Sequence, residues 1–324
     1  MPRLVEARED QLVPIYAESH LLWGAGLRPR DYRELWNDLR ATPWARRHVR
    51  FLVWVDRNGR TLSSLKLYRP IIRLGDRSSR CSVLGAIFTP KAMRGRGHAT
   101  AMIRAVLDEA RDREEPLALL FSDIGTGFYE LLGFRALPCR EQWGRLPRTG
   151  RGGGPGLRLM RPDDTPAVAR AREAGTRLRS LAMVRDRDHW DFLRTRTASF
   201  FRRLQDPGIA SRAWVAEERG QLVGYVWTVE GRGEWNVREL GSAAGEPEVM
   251  ERILRVAARE AAQRGARRFY GWLPPEVAPG LGDWRYRERE RPRAIPMVHA
   301  LDNTLESPSL ATVESCYFSY QDQF

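Results

Sequence analysis

Residues 51–68 read FLVWVDRNGRTLSSLKLY, two runs of strand-forming residues on either side of Asn58-Gly59. Asn-Gly in that setting is the strongest short-range sign of a hairpin, because the favoured two-residue turn needs a positive φ at both central positions. An antiparallel hairpin here argues against a mostly parallel sheet. The same plan returns at 213–229, AWVAEERGQLVGYVWTV, around Arg219-Gly220. Each hairpin is followed by a strand, a helix and another strand. In the first half these are CSVLGAIF (81–88), a helix over about 98–113 with Met102, Ile103, Val106, Leu107 and Ala110 on one face, and LALLFS (117–122). In the second they are WNVREL (235–240), a helix over about 247–264 carrying Val249, Ile253, Val256 and Ala257, and RRFYGW (267–272). Helical patterns precede each hairpin, at about 8–19 and 28–41 and again at 163–174 and 188–204. The halves read as two copies of one α+β design, each a mixed, mainly antiparallel sheet flanked by helices. Between them PRTGRGGGPG (147–156) holds five glycines and two prolines and reads as a linker, separating residues 1–146 from 157–324.

The length of 324 residues suits about two domains. No apolar run approaches the length of a membrane span, and the opening MPRLVEAREDQL has acidic residues and no apolar signal core, so a soluble, cytoplasmic protein is expected. Cys81, Cys139 and Cys316 stand far apart without CxxC spacing, so neither a disulfide framework nor a metal site is expected. The net charge of +13 is carried almost entirely by arginine, Lys66 and Lys91 being the only lysines. Such a surface attracts phosphate-bearing partners. No segment joins a basic block to regularly spaced aromatics, so nucleic acid is not the expected partner.

The stretch RGRGHA, Arg94 to Ala99, lies between a strand and a helix. Backbone N–H groups at a helix start point outward, and the dipole favours negative charge, so such a loop is suited to a phosphate. Gly95 and Gly97 let the main chain approach an anion closely, and Arg94 and Arg96 add charge. A nucleoside-triphosphate loop needs Gly-Lys, which is missing. A dinucleotide fingerprint needs glycine where Thr100 stands.

Arg94-x-x-Gly97-x-Ala99 after a strand, then a helix, a strand and FYELLGF (128–134), resembles the Gcn5-related N-acetyltransferase (GNAT) family over about residues 3–146. In that family [Q/R]xxGx[G/A] binds the pyrophosphate of acetyl-CoA. The resemblance implies two tandem GNAT-like domains, acetyl-CoA as co-substrate, and a loop Arg94, Gly95, Arg96, Gly97, His98, Ala99 that holds it. It implies that the strand ending at Ile87, Phe88 and Thr89 splays from its neighbour, exposing backbone groups to pantetheine and to the thioester carbonyl. Pro90 to Arg94 spans four steps where the family commonly shows three. By the same likeness Tyr129 is the general acid that protonates the departing thiolate.

The acceptor would be a small-molecule primary amine that must shed a proton before attack, at a cost of about 4–5 kcal/mol at pH 7 for a lysine side chain. Asp123 and Glu18 are the candidate acids for that task. LLFSDIGTGFYELLGF (119–134) and LLWGAGL (21–27) are similar to fungal lysine N6-acetyltransferases, which implies free L-lysine as acceptor. Another tandem acetyltransferase family uses a terminal carboxylate as base, and by that likeness Phe324 would supply one. In the second half LGSAAGEPEVM (240–250) puts Glu246 and Glu248 where a pyrophosphate would lie, so this copy is expected to shape the acceptor cleft instead. The alternatives are a protein or polyamine acetyltransferase, or a non-catalytic module binding acyl-CoA or RNA. The oligomeric state is left open.

Overall fold

In the computed structural model the described residues are 1–146, 153–177, 179–302 and 316–323. Both hairpins form as read. Val49–Val55 pairs antiparallel with Thr61–Tyr68 across Gly59 at φ +80°, and Ala210–Glu218 pairs with Gln221–Gly231 across Arg219 and Gly220, both with positive φ. The strands Ser82–Phe88 and Leu117–Ser122 and the helix His98–Asp112 follow in the first half. In the second the strands are Glu234–Ser242 and Arg268–Gly271 and the helix is Pro247–Gln263.

Each half builds a seven-stranded sheet with the same succession of pairings: three antiparallel, one parallel, two antiparallel. The first sheet runs Arg3–Glu6, Val49–Val55, Thr61–Tyr68, Ser82–Phe88, Leu117–Ser122, Ile295–Ala300, Arg135–Ala136. The second runs Gly156–Leu159, Ala210–Glu218, Gln221–Gly231, Glu234–Ser242, Arg268–Gly271, Arg140–Arg145, Arg287–Glu290. The sixth strand of each sheet therefore comes from the other half: Ile295–Ala300 crosses into the first, Arg140–Arg145 into the second. The described residues of the two halves thus form two tandem GNAT-like layers of sheet and helix, neither of them a closed unit. Of the linker, 147–152 lie outside the described residues, and Gly156 is not linker but opens an edge strand against Glu217.

A third, three-stranded sheet joins the halves, Leu181–Val184 pairing with Ile71–Leu74, which pairs with Arg77–Arg80. The helix His98–Asp112 buries Met102, Ile103, Val106, Leu107 and Ala110 against the first sheet, the stripe its periodicity predicts. A larger core runs from the helices Glu9–Trp23 and Pro29–Arg40 into the helix Arg187–Arg203 of the second half, so the halves share one apolar interior. The three cysteines are unpaired. Among the described residues there is no cluster of metal-binding side chains, and no helix is long and apolar enough to cross a membrane.

Candidate active site

Strand Ser82–Phe88 and strand Leu117–Ser122 run parallel, but their pairing stops at Leu84 and Leu120 although both continue. The cause lies on the opposite edge of Ser82–Phe88. Its register against Thr61–Tyr68 slips by one residue between Gly85 and Phe88, and Ala86 adopts φ +47° to accommodate the bulge. The bulge turns the strand away and leaves main-chain groups around Ala86 and Ile87 without a sheet partner on that side.

Beyond the bulge the chain passes a 3-10 turn, Lys91–Met93, that tucks Met93 into the interior and absorbs the additional step before Arg94. Gly95 and Gly97 then sit at φ +74° and +75°, and a side chain added to either would meet no atom within 4 Å. Gly97 caps the helix His98–Asp112, whose first amides have no partner within the helix. The loop Arg94–Gly97 is exposed, and no acidic residue stands in the helix's first turn. Arg94 donates from Nε to the Thr89 carbonyl at 3.1 Å, and the Ser63 hydroxyl donates to the Phe88 carbonyl at 2.9 Å while lying 3.0 Å from the Thr89 hydroxyl. The ends of the bulged strand and of the loop are tied together by these bonds.

A cavity of about 550 Å³ opens beside the splay. Ala86, Ile87, Leu120, Asp123 and Tyr129 wall it from the first half; Phe192, Arg196, Val229 and Arg238 wall it from the second, with Tyr320, Gln321 and Gln323 of the C-terminal segment. Trp23 and Ala25 of the LLWGAGL stretch complete its rim, Ala25 in the left-handed region that ends the helix Glu9–Trp23. Tyr129 is 8% exposed, edge-on to Phe128 and Phe134. Its hydroxyl makes no hydrogen bond among the described residues. Burial first, and then the Asp123 charge, push its pKa up to about 12, so the phenol holds its proton at any physiological pH. Asp123 is exposed, and its Oδ1 accepts from the Ala294 amide at 3.1 Å, just before the exchanged strand.

Of the sequence candidates, the structure brings Ile87, Asp123 and Tyr129 to one cavity and sets the loop Arg94–Ala99 at the helix start beside the same strand. Phe88 turns inward and packs on Trp23. Glu18 is exposed on its helix and does not line the cavity, and the His20 ring is engaged at 2.6 Å by the Leu27 carbonyl. Phe324 lies outside the described residues.

Residues 15–137 match the family model described as the acetyltransferase (GNAT) domain. Solved structures extend the likeness in fold to both halves of the chain. A GCN5-related N-acetyltransferase from Kribbella flavida is 19% identical, with 93% of this chain and 72% of that one covered at a TM-score of 0.66. One from Anabaena variabilis is 13% identical, with 93% and 73% covered and a TM-score of 0.70. A tandem GNAT protein from the clavulanic acid biosynthesis pathway is 14% identical, with 93% and 99% covered and a TM-score of 0.54. At these identities the likeness concerns the fold. No curated protein sequence matches.

Three cavity residues were not singled out from sequence. Lys66 is buried in the strand Thr61–Tyr68, its Nζ 3.2 Å from the centre of the Trp36 ring with Tyr32 and Phe51 beyond, and burial pushes its pKa well below the ordinary value. One of only two lysines, it stands between Leu65 and Leu67, where alternation would turn it to solvent, and it is buried because both faces of this strand are covered. Arg196 donates to the Gln321 side chain at 2.8 Å and to the Gln321 and Gln323 carbonyls, fastening the C-terminal segment to the cavity wall. Arg238 is the third.

Proposed function

We propose that the chain is an acyl-CoA-dependent N-acyltransferase that moves an acetyl group from acetyl-CoA to a small primary amine. The observation that carries this reading is the conjunction of three features around one strand: its bulge, which parts it from its parallel neighbour, a buried protonated phenol on the cavity beside that bulge, and an open glycine loop at a helix start, tied to the strand's end through Arg94 and Thr89. The loop fits a diphosphate because its two left-handed glycines leave free the space a side chain would fill, with unpartnered amides facing it. Acetyl-CoA supplies the activated acyl group.

The chain's own groups then divide the work. Main-chain N–H groups at Ala86 and Ile87 stabilise negative charge that develops on the thioester oxygen. Asp123 attracts the acceptor's ammonium and takes the proton it must lose before attack. As the C–N bond forms and the C–S bond breaks, Tyr129 protonates the leaving thiolate. Of the two protons the ammonium gives up, one passes through Asp123 to solvent and the other restores Tyr129. Lysine is the first acceptor to try, on the strength of the LLWGAGL and FYELLGF stretches.

The test is thiol release from acetyl-CoA with a panel of amines, in parallel with equilibrium binding of acetyl-CoA. Tyr129→Phe is expected to lower kcat about 10²- to 10⁴-fold, the usual worth of a positioned proton donor, while acetyl-CoA affinity stays. Unchanged turnover in that variant removes Tyr129 from the chemistry. Coenzyme binding without turnover of any amine would instead mark a sensor module.

A further inference from the structure

A protein interior seldom holds a guanidinium that lacks both a counter-charge and a set of hydrogen bonds. Strand Glu234–Ser242 loses register against Gln221–Gly231, Val237 facing Thr228 and Glu239 facing Trp227, which leaves Arg238 as the additional residue of a bulge. A bulge re-aims the side chain it carries. The re-aimed guanidinium lines the cavity and rests on the Tyr320 ring, 4.0 Å from its centre. Among the described residues it makes no hydrogen bond and no ion pair; the phenols of Tyr320 and Tyr270 lie near it, and so does the like charge of Arg196, so no counter-charge faces it.

The other basic side chains of the cavity are committed: Arg196 to the Gln321 and Gln323 carbonyls, Lys66 to the aromatic faces of Trp36, Tyr32 and Phe51. Among the described residues Asp123 is the one carboxylate on the wall, on the side of the first half with Tyr129. The cavity is therefore two-ended. An acid stands near the phenol, an unpaired planar fork of donors stands on the wall of the second half, and the lining between them is largely apolar, with Leu35, Leu39, Phe192 and Phe200.

We propose that the acceptor is an amine that also carries a carboxylate, with the carboxylate held by the Arg238 fork and the amine turned toward Asp123 and Tyr129. This rests on the transferase reading above and adds to it the chemical class of the acceptor. Guanidinium and carboxylate match in plane and spacing, and a charge-assisted pair shielded from bulk water strengthens binding. Diamines and polyamines, bearing only positive charge, would meet Arg238 and Arg196 with repulsion. The volume of about 550 Å³ suits a small molecule together with a thioester.

The experiment compares L-lysine with cadaverine, which is lysine without its carboxylate, as acceptors for the full chain with acetyl-CoA, and extends to β-alanine against ethylamine. The carboxylate-bearing member of at least one pair is expected to show a kcat/KM higher by at least about tenfold, through KM, the worth of one charged hydrogen-bonding pair. Arg238→Gln should collapse that ratio and Arg238→Lys should restore part of it, with near-ultraviolet circular dichroism reporting on folding. The wild-type comparison needs no variant. Turnover of cadaverine or ethylamine equal to or above that of its partner in both pairs overturns the inference and leaves the transferase standing, as does a ratio that Arg238→Gln leaves intact. Absence of thiol release with every amine overturns both.

Discussion

The two long helices that follow the bulged strands occupy the same place in the two sheets, yet their starts are built for opposite purposes. In the first half the helix opens after two left-handed glycines with empty space around them and no acid in its first turn. In the second a single glycine, Gly245, packs so tightly that a side chain there would lie 2.9 Å from the Ala174 carbonyl, while Glu246 caps the helix and Glu248 stands in its first turn. One start is vacant and positive, the other covered and negative. The ends of the parallel pairings differ in the same way. In the second sheet, pairing between Glu234–Ser242 and Arg268–Gly271 ends at Val237 and Gly271, and Tyr320 fills the opening by stacking on Trp272 at 3.7 Å with Arg238 on its ring. The C-terminal segment thus occupies in the second half the kind of gap that opens onto the cavity in the first. Two sheets of like pairing thus differ at this point: one leaves its opening free and the other is closed by the protein's own chain.

That comparison can be broken most forcefully at the plug. Asp322 accepts from Arg185 at 2.7 Å and Arg172 at 2.8 Å, Arg185 also grips Glu239 with both terminal nitrogens at 2.9 and 2.7 Å, and all four are buried. Two cations and two anions balance, so each has a partner to lose. Asp322→Ala should destabilise the fold by about 3–5 kcal/mol, because it strands a buried guanidinium. Denaturant unfolding measures this, and a loss under 1 kcal/mol would mean that the segment is not held by this network. The pH dependence follows from the sign of the shift. Burial alone would raise the Asp322 carboxyl, but Arg185 and Arg172 outweigh it and hold the group well below the usual range. Its contribution is therefore complete above the ordinary value of about 3.9 and is lost only as pH falls well beneath it. The wild-type protein should keep the segment docked at a pH where Asp322→Asn has released it.

The next contrast sets the two helix starts against each other. Gly97→Ala puts an L-residue at φ +75°, which costs about 1–2 kcal/mol, and points a methyl into the space assigned to phosphate. Acetyl-CoA affinity should fall about tenfold, corresponding to about 1.4 kcal/mol. Gly245→Ala carries similar backbone strain plus a clash with the Ala174 carbonyl, so its stability loss should be the larger while coenzyme affinity stays. Equal losses of affinity in both variants would mean that the second start also binds the coenzyme.

What could be read from sequence was what is local. Asn58-Gly59 sets its hairpin by turn chemistry, and the stripe Met102, Ile103, Val106, Leu107, Ala110 sets its helix by period, so both emerged at nearly the right residues. The loop Arg94–Ala99 could be read for the same reason, its chemistry lying in consecutive positions. The exchanged strands could not. Arg140–Arg145 and Ile295–Ala300 look like ordinary strands, and nothing in either says that its partner lies in the other half, because a hydrogen-bond ladder is blind to the side chains that would name the neighbour. The small hairpin Ile71–Leu74 with Arg77–Arg80 escaped notice because RSSR is polar and half of a strand pair that docks on Leu181–Val184. Arg238 is hidden for a subtler reason. In WNVREL simple alternation gives Arg238 a place on one face, and the bulge that re-aims it carries no glycine to announce it.

The smallest expected effect concerns Tyr129, which has no counterpart after Arg268–Gly271, where the chain continues as WLPPEVAPG. A proton donor works only while protonated, so a raised pKa extends its working range upward. An unperturbed tyrosine would impose an alkaline limb on kcat at about pH 10. Tyr129, pushed up to about 12 by burial and then by Asp123, should leave kcat flat through pH 10 and bring it down only near the upper end of the measurable range. Asp123→Asn removes the lesser of the two causes, so the limb should move down without returning to the ordinary tyrosine position, whatever happens to the height of the plateau. The position of the limb, and not the rate, is the informative quantity, because Asp123 is also the group proposed to take the acceptor's proton. A wild-type limb centred at about pH 10 would place the working phenol in water, and Tyr129 would then be no more than a packed aromatic beside Phe134.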